Sequence, residues 1–523
     1  MRHFADQGQM LLAYIRQAIA QQTLNRRLVG LFCLGLLGGA LGVFAFAPFS
    51  FWPAFAITVF VFTWLTLRAS SGKQAWWLGF AVGLGYFGAG VSWVYVSIAT
   101  YGQVGALVSF IITLGFVALL AAFYALAATI SWRLFVNRPY LSKALVISIS
   151  LLFTEYLRSQ VFTGFPWLLP GYAMQHSYLF EFSAIGGIWL LSFVSLLSFT
   201  LAISLFCSHN KRFDALLLII TLAIWGSAWQ LTLTPPKWVT IDATLKTTLV
   251  QGNVSQDEKW LAEQAAPTLE YYQQTTLDNL GSDLVVWPET AITYLYHQAK
   301  PYLDDFNQTL AEQHTTLITG IPYWDKTKNT YYNAVWASGD GFGLYFKQRL
   351  VPFGEYIPFQ EIVGKLLDLF GMPMSMFSRG DSNQPVLQVG NWGAAPFICY
   401  EIVYPEQVRK LVRDSDFLVT ISNDGWFGNS IGPLQHLQIA QFRAKESGRY
   451  LIRATNTGVS AVINEQGQIT AALPQFIRTS LTTSVGIASG ITPYVQYGNL
   501  VCISLLLLLI CGQYLYSLGR LTK

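Results

Sequence analysis

The chain has 523 residues, of which only 11% are charged, 53% are apolar and 15% aromatic, with 17 Trp. Ordinary soluble proteins carry about 25% charged residues, so this composition excludes a disordered chain and argues against a wholly water-soluble enzyme. Five cysteines are too few to staple a chain this long. Residues 1–232 together with the tail from Gln496 hold 14 basic and 4 acidic residues, whereas residues 233–495 hold 18 basic and 24 acidic ones. The middle portion is acidic and has no basic stripe, which excludes nucleic acid as a partner.

In chain order, apolar runs of the roughly 20 residues needed to cross a hydrocarbon core fall near 28–46, 51–67, 75–98, 105–132, 185–206, 215–232 and 497–517. A shorter run, 143–157, contains Glu155; it is counted as a span because omitting it leaves the flanks of the middle portion on inconsistent sides. Seven spans then fill residues 1–232, and an eighth lies in 496–523. Thirteen basic residues (Arg2, Arg16, Arg26, Arg27, Arg68, Lys73, Arg133, Arg138, Lys143, Lys211, Arg212, Arg520 and Lys523) collect on one side, against Arg158 alone in the short loops of the other. The positive-inside rule makes both termini cytoplasmic and 233–495 an extracytoplasmic domain. The loop 159–183 carries Phe162, Phe165, Trp167, Leu168 and Leu169 beside Pro166 and Pro170. It reads as an interfacial aromatic anchor, with the mouth of a lipid-facing site as the alternative.

Within 233–495, β-branched strands are expected at Thr247–Val250, Leu284–Trp287, Thr316–Gly320, Asn333–Ala337, Gly343–Gln348, Ala395–Tyr400, Phe417–Ser422 and Gly458–Ile463. Helices are expected at 258–278, 300–313, 405–413 and 433–449. This alternation predicts an α/β sandwich, in which reactive residues gather at strand ends.

Cys399 is the only cysteine of that domain; Cys33, Cys502 and Cys511 fall within expected spans and Cys207 at the end of another. A lone thiol on the apolar strand APFICYE is either buried or used. Glu401, two residues on, would share its face on an extended strand. Glu289 ends the run VVWPE and Lys347 ends LYFK. Each alone reads as a solvated strand-end charge, but a carboxylate, a cation and a thiol together supply a base, an oxyanion partner and a nucleophile. His436 lies in a helical stretch, where a core or capping role outweighs metal ligation. No His/Cys/Asp cluster has metal-ligand spacing.

The segments WPET at 287–290, KQRLVPFGEYIPF at 347–359, ICYE at 398–401 and SNDGWFG at 422–428 resemble the nitrilase superfamily. Fused to membrane spans, and with the GFPW loop, QGN at 251–253 and GPLQHLQIAQFRA at 432–444, they resemble the apolipoprotein N-acyltransferase family of the bacterial inner membrane. The resemblance implies a multi-span helical domain bearing a four-layer αββα sandwich, and a catalytic triad of Glu289, Lys347 and Cys399. It implies Glu355 as a further essential acid, Glu401 and Tyr400 flanking the nucleophile, and Trp260, Trp426 and Phe427 bordering the acyl or headgroup site. It implies a membrane phospholipid as acyl donor and a diacylglyceryl apolipoprotein as acceptor, on the periplasmic side, with no metal or diffusible cofactor. A membrane-tethered amidase and a non-enzymatic scaffold or transporter are the competing readings.

Residues 359–377 place Ile362, Val363, Leu366, Leu367, Leu369 and Phe370 on one helical face opposite Glu361, Lys365 and Asp368. Core packing and an interfacial arm over the thiol are both open for this stretch, and Met372, Met374 and Met376 suit adaptable lipid contacts.

Overall fold

The computed structural model describes residues 26–102, 105–138, 141–207, 211–352, 354–356 and 377–521. The stretch 359–377, apart from Phe377, lies outside the described residues. The N-terminal region is a bundle of α1 (Arg26–Ala45), α2 (Pro53–Arg68), α3 (Gly72–Gly90), α4 (Trp93–Tyr101), α5 (Gly105–Asn137), α6 (Lys143–Arg158), α7 (Ser183–Cys207) and α8 (Lys211–Leu233). Helices α1, α5 and α8, together with Tyr178–Leu205, which takes in most of α7, are long and apolar enough to cross a membrane. The 16 residues of α2 and of α6 reach about 24 Å at 1.5 Å per residue, short of a ~30 Å core, so each would span only where the bilayer thins to meet it.

The single run expected at 75–98 is two helices, α3 and α4, bent by 58°. Gly90, at the end of α3, packs so closely on Leu168 that a Cβ there would lie 2.3 Å from its Cδ1. Beyond the bend, α4 turns its polar groups to the middle domain: Ser97 Oγ donates to Trp426 O at 2.7 Å and Tyr101 OH to Gly425 O at 2.8 Å.

The middle domain comprises β1 (Val239–Gln251), α9 (Ala262–Leu277), β2 (Leu284–Val286), α10 (Tyr296–Glu312), β3 (Thr316–Asp325), β4 (Thr330–Gly339), β5 (Gly343–Phe346), β6 (Leu387–Val389), β7 (Trp392–Ile398), α11 (Pro405–Val412), β8 (Phe417–Ser422), α12 (Gly432–Ser447), β9 (Leu451–Thr455), β10 (Ala461–Ile463), β11 (Ile469–Ala472) and β12 (Thr479–Gly490). A short α13 (Pro493–Tyr497) leads to α14 (Leu500–Leu521), whose segment Leu500–Ser517 is also long and apolar enough to span. Two six-stranded sheets form, in the orders β12-β1-β2-β3-β4-β5 and β11-β10-β9-β8-β7-β6. Strands β1, β2 and β3 run parallel in the first sheet, and β7, β8 and β9 in the second. Such parallel strands are buried on both faces and need helical crossovers.

The sheets face each other through Leu249, Val286, Ile318 and Val335 on one side and Ile398, Val419, Ile421 and Ile452 on the other. The outer face of the first sheet packs Val285, Trp287 and Leu317 on Leu303, Phe306 and Leu310 of α10. The outer face of the second packs Phe397 and Leu418 on α11 and α12, in a core continuous with the membrane bundle. The result is the expected αββα sandwich. Its second helical layer is also the joint to the bundle.

That joint explains a helix with little amphipathicity. Fourteen of the sixteen residues of α12 are buried, including Gln435, Gln438, Lys445 and Glu446, so each polar group there needs a partner. Gln435 Oε1 accepts from the indoles of Trp93 at 3.2 Å and Trp167 at 2.6 Å, while its amide donates to Gly90 O at 3.1 Å. Glu446 Oε1 accepts from Ile188 N and from Arg443, at 2.8 and 2.9 Å. Lys445 pairs with Glu181 at 2.8 Å.

The loop 159–183 is not a surface anchor through most of its length. Phe162 is exposed, but Trp167, Leu168 and Leu169 are buried between the bundle and the middle domain. Irregular backbone buried inside a protein needs internal hydrogen-bond partners. Arg158, ion-paired with Glu155, donates to the carbonyls of Phe165 and Trp167; Tyr86 OH donates to Leu168 O at 2.8 Å.

Candidate active site

Glu289, Lys347 and Cys399 stand just beyond the C-terminal ends of β2, β5 and β7, at one edge of the sandwich. Pro288 ends the β2 segment, and the following turn lies against β3 at Gly320, where a Cβ would sit 2.3 Å from Thr290 N. Only glycine lets the Glu289 turn come this close. Glu289 Oε1 accepts from Asn333 Nδ2 at 2.8 Å and Lys347 Nζ at 3.3 Å, and Oε2 accepts from Asn423 N at 2.9 Å. Lys347 Nζ also donates to Glu355 Oε1 at 2.8 Å, and Glu355 Oε2 accepts from Val351 N at 2.8 Å. One buried ammonium is thus held between two carboxylates. Asn333 donates to both acids, with Glu355 Oε1 at 3.1 Å.

These charges set the protonation states. Burial raises the Glu289 pKa, but Lys347, Asn333, Lys259 and Asn423 outweigh it and hold the carboxyl below its usual range. Burial lowers that of Lys347, but Glu289 and Glu355 keep it well above its ordinary value. Cys399 is pushed up to about 12, first by burial and then by the Glu289 carboxylate, with Lys347 pulling the other way. The resting set is a carboxylate, an ammonium and a neutral thiol, the pairing that lets an acid act as base toward the sulfur.

Cys399 is not the last residue of an extended strand. Strand β7 stops at Ile398, and Cys399 takes φ 52° at the start of a short 3₁₀ turn, Cys399–Val403. A left-handed conformation at a non-glycine residue is a strained feature, of order 1 kcal/mol, that lifts the thiol off the sheet. The turn also corrects the expected shared face of Cys399 and Glu401. Glu401 is fully buried and accepts from Ile398 N, Gln348 N, Arg349 N, Gln407 Nε2 and Tyr345 OH. Its carboxylate binds the backbone after Lys347 to the end of β7, and so spaces the two strand ends that carry Lys347 and Cys399. Burial raises its pKa against those donors.

The four expected substrate-binding residues fall in different surroundings. Tyr400 stacks on Trp167 at 6.4 Å and donates to Gly164 O at 3.2 Å, so the GFPW loop forms a wall beside Cys399. Phe427 packs edge-on against Trp93 at 4.7 Å. Trp426 and Trp260 are the open ones, 42% and 54% exposed. Trp426 lies against Tyr101 at 5.1 Å; Trp260 follows Lys259 in the turn after β1.

Residues overlooked in the sequence complete the site. Lys259 is buried and donates to Glu289 O at 2.9 Å; burial, opposed by Glu289, brings its pKa down to about 8. Ser422 lies within hydrogen-bonding reach of the thiol and donates to Asp424 Oδ1 at 2.7 Å. Asp424 pairs with Arg453 at 2.6 Å, in a space that a Cβ on Gly458 would fill. His436 is in the core, as expected, but its Nε2 also meets Cys399 O at 3.1 Å. Among the described residues, no group of three or more His, Cys, Asp or Glu side chains is placed to hold a metal ion.

The two facing sheets between helical layers lie within the segment matched by the profile Carbon-nitrogen hydrolase, residues 246–489, which assigns the sandwich to that class. A second profile, Apolipoprotein N-acyltransferase N-terminal domain, matches residues 38–201. The apolipoprotein N-acyltransferase of Pseudomonas putida is 42% identical over 487 residues, covering 90% of this chain and 95% of that protein. That of Vibrio vulnificus is 39% identical, covering 88% and 92%. Saccharomyces cerevisiae Nit3, described as a member of branch 10 of the nitrilase superfamily, has a TM-score of 0.36 and 18% identity, covering 47% of this chain and 91% of its own. This chain belongs to the apolipoprotein N-acyltransferase family, and it is an acyltransferase with a carbon-nitrogen hydrolase fold.

Proposed function

We propose that the protein moves an acyl chain from a membrane phospholipid to the α-amino group of an apolipoprotein's N-terminal diacylglyceryl-cysteine, through a thioester on Cys399. The observation that carries this reading is the Lys347 ammonium held between Glu289 and Glu355 beside a partly open thiol walled by a membrane loop. In the first half-reaction Glu289 takes the thiol proton as sulfur attacks the ester carbonyl. Lys347 stabilises the oxyanion, and collapse breaks the ester C–O bond. Glu289 then returns its proton to the departing alcohol, which leaves as a lysophospholipid. In the second half-reaction the amine nitrogen attacks the thioester, Glu289 accepts an amine proton, and the sulfur leaves and is reprotonated. Donor and acceptor use the thiol in turn. The roles of Trp260, Trp426, Tyr400 and Phe427 are to border the acyl chains, and Glu355 holds Lys347 in place.

The domain division 1–232, 233–495 and 496–523, with eight spans and the sandwich on the periplasmic face of the inner membrane, is part of the same proposal. It is supported by the thirteen-to-one distribution of basic residues. A cysteine replacing Tyr302, which is 82% exposed, is expected to react with an impermeant reagent once the outer membrane is permeabilised; protection there would reverse the topology. Tethering at both ends concentrates the ester beside the thiol before chemistry begins. Double-reciprocal plots at several acceptor concentrations are expected to be parallel, and intersecting lines would refute alternate use of the thiol.

A further inference from the structure

We infer that His436 is a positioning residue for the nucleophile, its Nε2–H holding the Cys399 carbonyl so that the left-handed turn keeps the thiol aimed at the ester. This rests on the reading of Cys399 as the nucleophile. The hydrogen-bond partners fix the tautomer. A carbonyl oxygen only accepts, so the 3.1 Å contact with Cys399 O requires the proton on Nε2. A guanidinium only donates, so the 3.2 Å contact between Arg453 Nη2 and Nδ1 requires a lone pair there. Both demands are met by the same neutral imidazole. The contact with Asp424 Oδ1 is longer, at 3.4 Å, and Asp424 is already engaged by Ser422 and by Arg453 at 2.7 and 2.6 Å. Burial and the neighbouring Arg453 hold His436 below its usual pKa, which keeps the ring neutral.

The ring cannot swing away from this arrangement. It is 1% exposed and lies 5.7 Å from Trp167 and 6.1 Å from Phe427, the wall of the site. Cys399, at φ 52°, has a conformation that L residues seldom hold without outside support. Asp424 braces the sulfur side of this residue through Ser422, and its ion-pair partner Arg453 donates to His436 Nδ1 behind the carbonyl. Nε2 is committed to the carbonyl, so the imidazole is not the base; that role stays with Glu289.

The test uses the full-length chain in detergent with phospholipid as the only substrate, and mass spectrometry follows acyl loading of the Cys399 peptide. His436→Gln keeps an N–H donor near the Nε2 position, whereas His436→Asn keeps a polar group only near Nδ1. The Asn variant is expected to load about 10²-fold more slowly, the cost of a misplaced reacting atom, with the Gln variant recovering most of the rate at an unchanged melting temperature. His436→Met, which fills the space without donating, provides the slow reference should the Asn variant melt below the assay temperature. Loading of Asn or Met at the wild-type rate, or equal slowing of Gln and the non-donating variants, would overturn the inference. An acyl mark that persists in Cys399→Ala would instead overturn the catalytic reading beneath it.

Discussion

The two halves of the sandwich contribute different things to the site. The first sheet, backed by α9 and α10, brings Glu289 and Lys347, with Glu355 and Lys259 alongside. The second, backed by α11 and α12, brings Cys399 and the buried Asp424–Arg453–His436 cluster. The helices behind the first sheet present an open face, with Tyr302 82% exposed, whereas α12 is buried all round against the bundle. The proposed acid–base residues therefore sit on the half with an open helical face, and the proposed nucleophile on the half packed against the helical bundle.

The largest expected effects break the chemistry shared by the halves. Cys399→Ala is expected to abolish acyl loading, since the other cysteines lie in or beside the spans. Glu289→Gln is expected to slow loading ~10²–10⁴-fold by removing the base, and Lys347→Ala on the order of 10²–10³-fold by removing the oxyanion partner. Unchanged loading in Lys347→Ala would reduce the lysine to a strand-edge charge. The coupling between the halves has its own signature in pH. With the thiol pushed up to about 12 from 9.0, iodoacetamide at pH 8 should alkylate it about 10³-fold more slowly than an unshifted thiol. The Glu289 charge raises the thiol pKa, so Glu289→Gln should move the alkylation profile to lower pH even as acyl loading falls. A profile moved upward would mean the carboxylate does not face the sulfur.

Smaller effects sharpen the contrast between the helical layers. Glu446→Ala leaves the Arg443 guanidinium buried without its carboxylate and is expected to cost about 3–5 kcal/mol. Gln435→Leu strands the indole N–H groups of Trp93 and Trp167, at roughly 1–3 kcal/mol each. On the open side, Tyr302→Ser is expected to fall within about 0.5 kcal/mol of wild type. Thermal denaturation of the detergent-solubilised chain ranks the three, and equal sensitivity of the two layers would remove the distinction.

The site was legible where charge interrupts an apolar strand. Glu289 after VVW, Lys347 after LYF and Cys399 after APFI are anomalies of residue type at strand ends, and the α/β alternation followed from the β-branched runs between helical stretches. What escaped was set by three-dimensional context. Strand β12, TSLTTSVGIASG, is polar because it is an edge strand, half exposed and paired antiparallel with β1. The first half of β1 escaped because its residues from Val239 to Thr244 are largely exposed, although the strand lies inside the sheet. Lys259 and His436 are single polar residues whose meaning depends on the carbonyls they meet, of Glu289 and Cys399. The extended-strand geometry assumed for Cys399 and Glu401 failed because the chain turns left-handed at the cysteine itself. The bend at Gly90 escaped because apolar composition continues through it.

The central claim is that phospholipid alone loads Cys399. Incubating the purified full-length protein with phospholipid vesicles and no acceptor, then mapping acyl groups by mass spectrometry, tests it most directly. The account predicts one acyl group on the Cys399 peptide, released lysophospholipid in equal amount, and a thioester that persists until an amine acceptor is added. An unmodified Cys399, or a thioester that water clears as fast as an acceptor does, would contradict it.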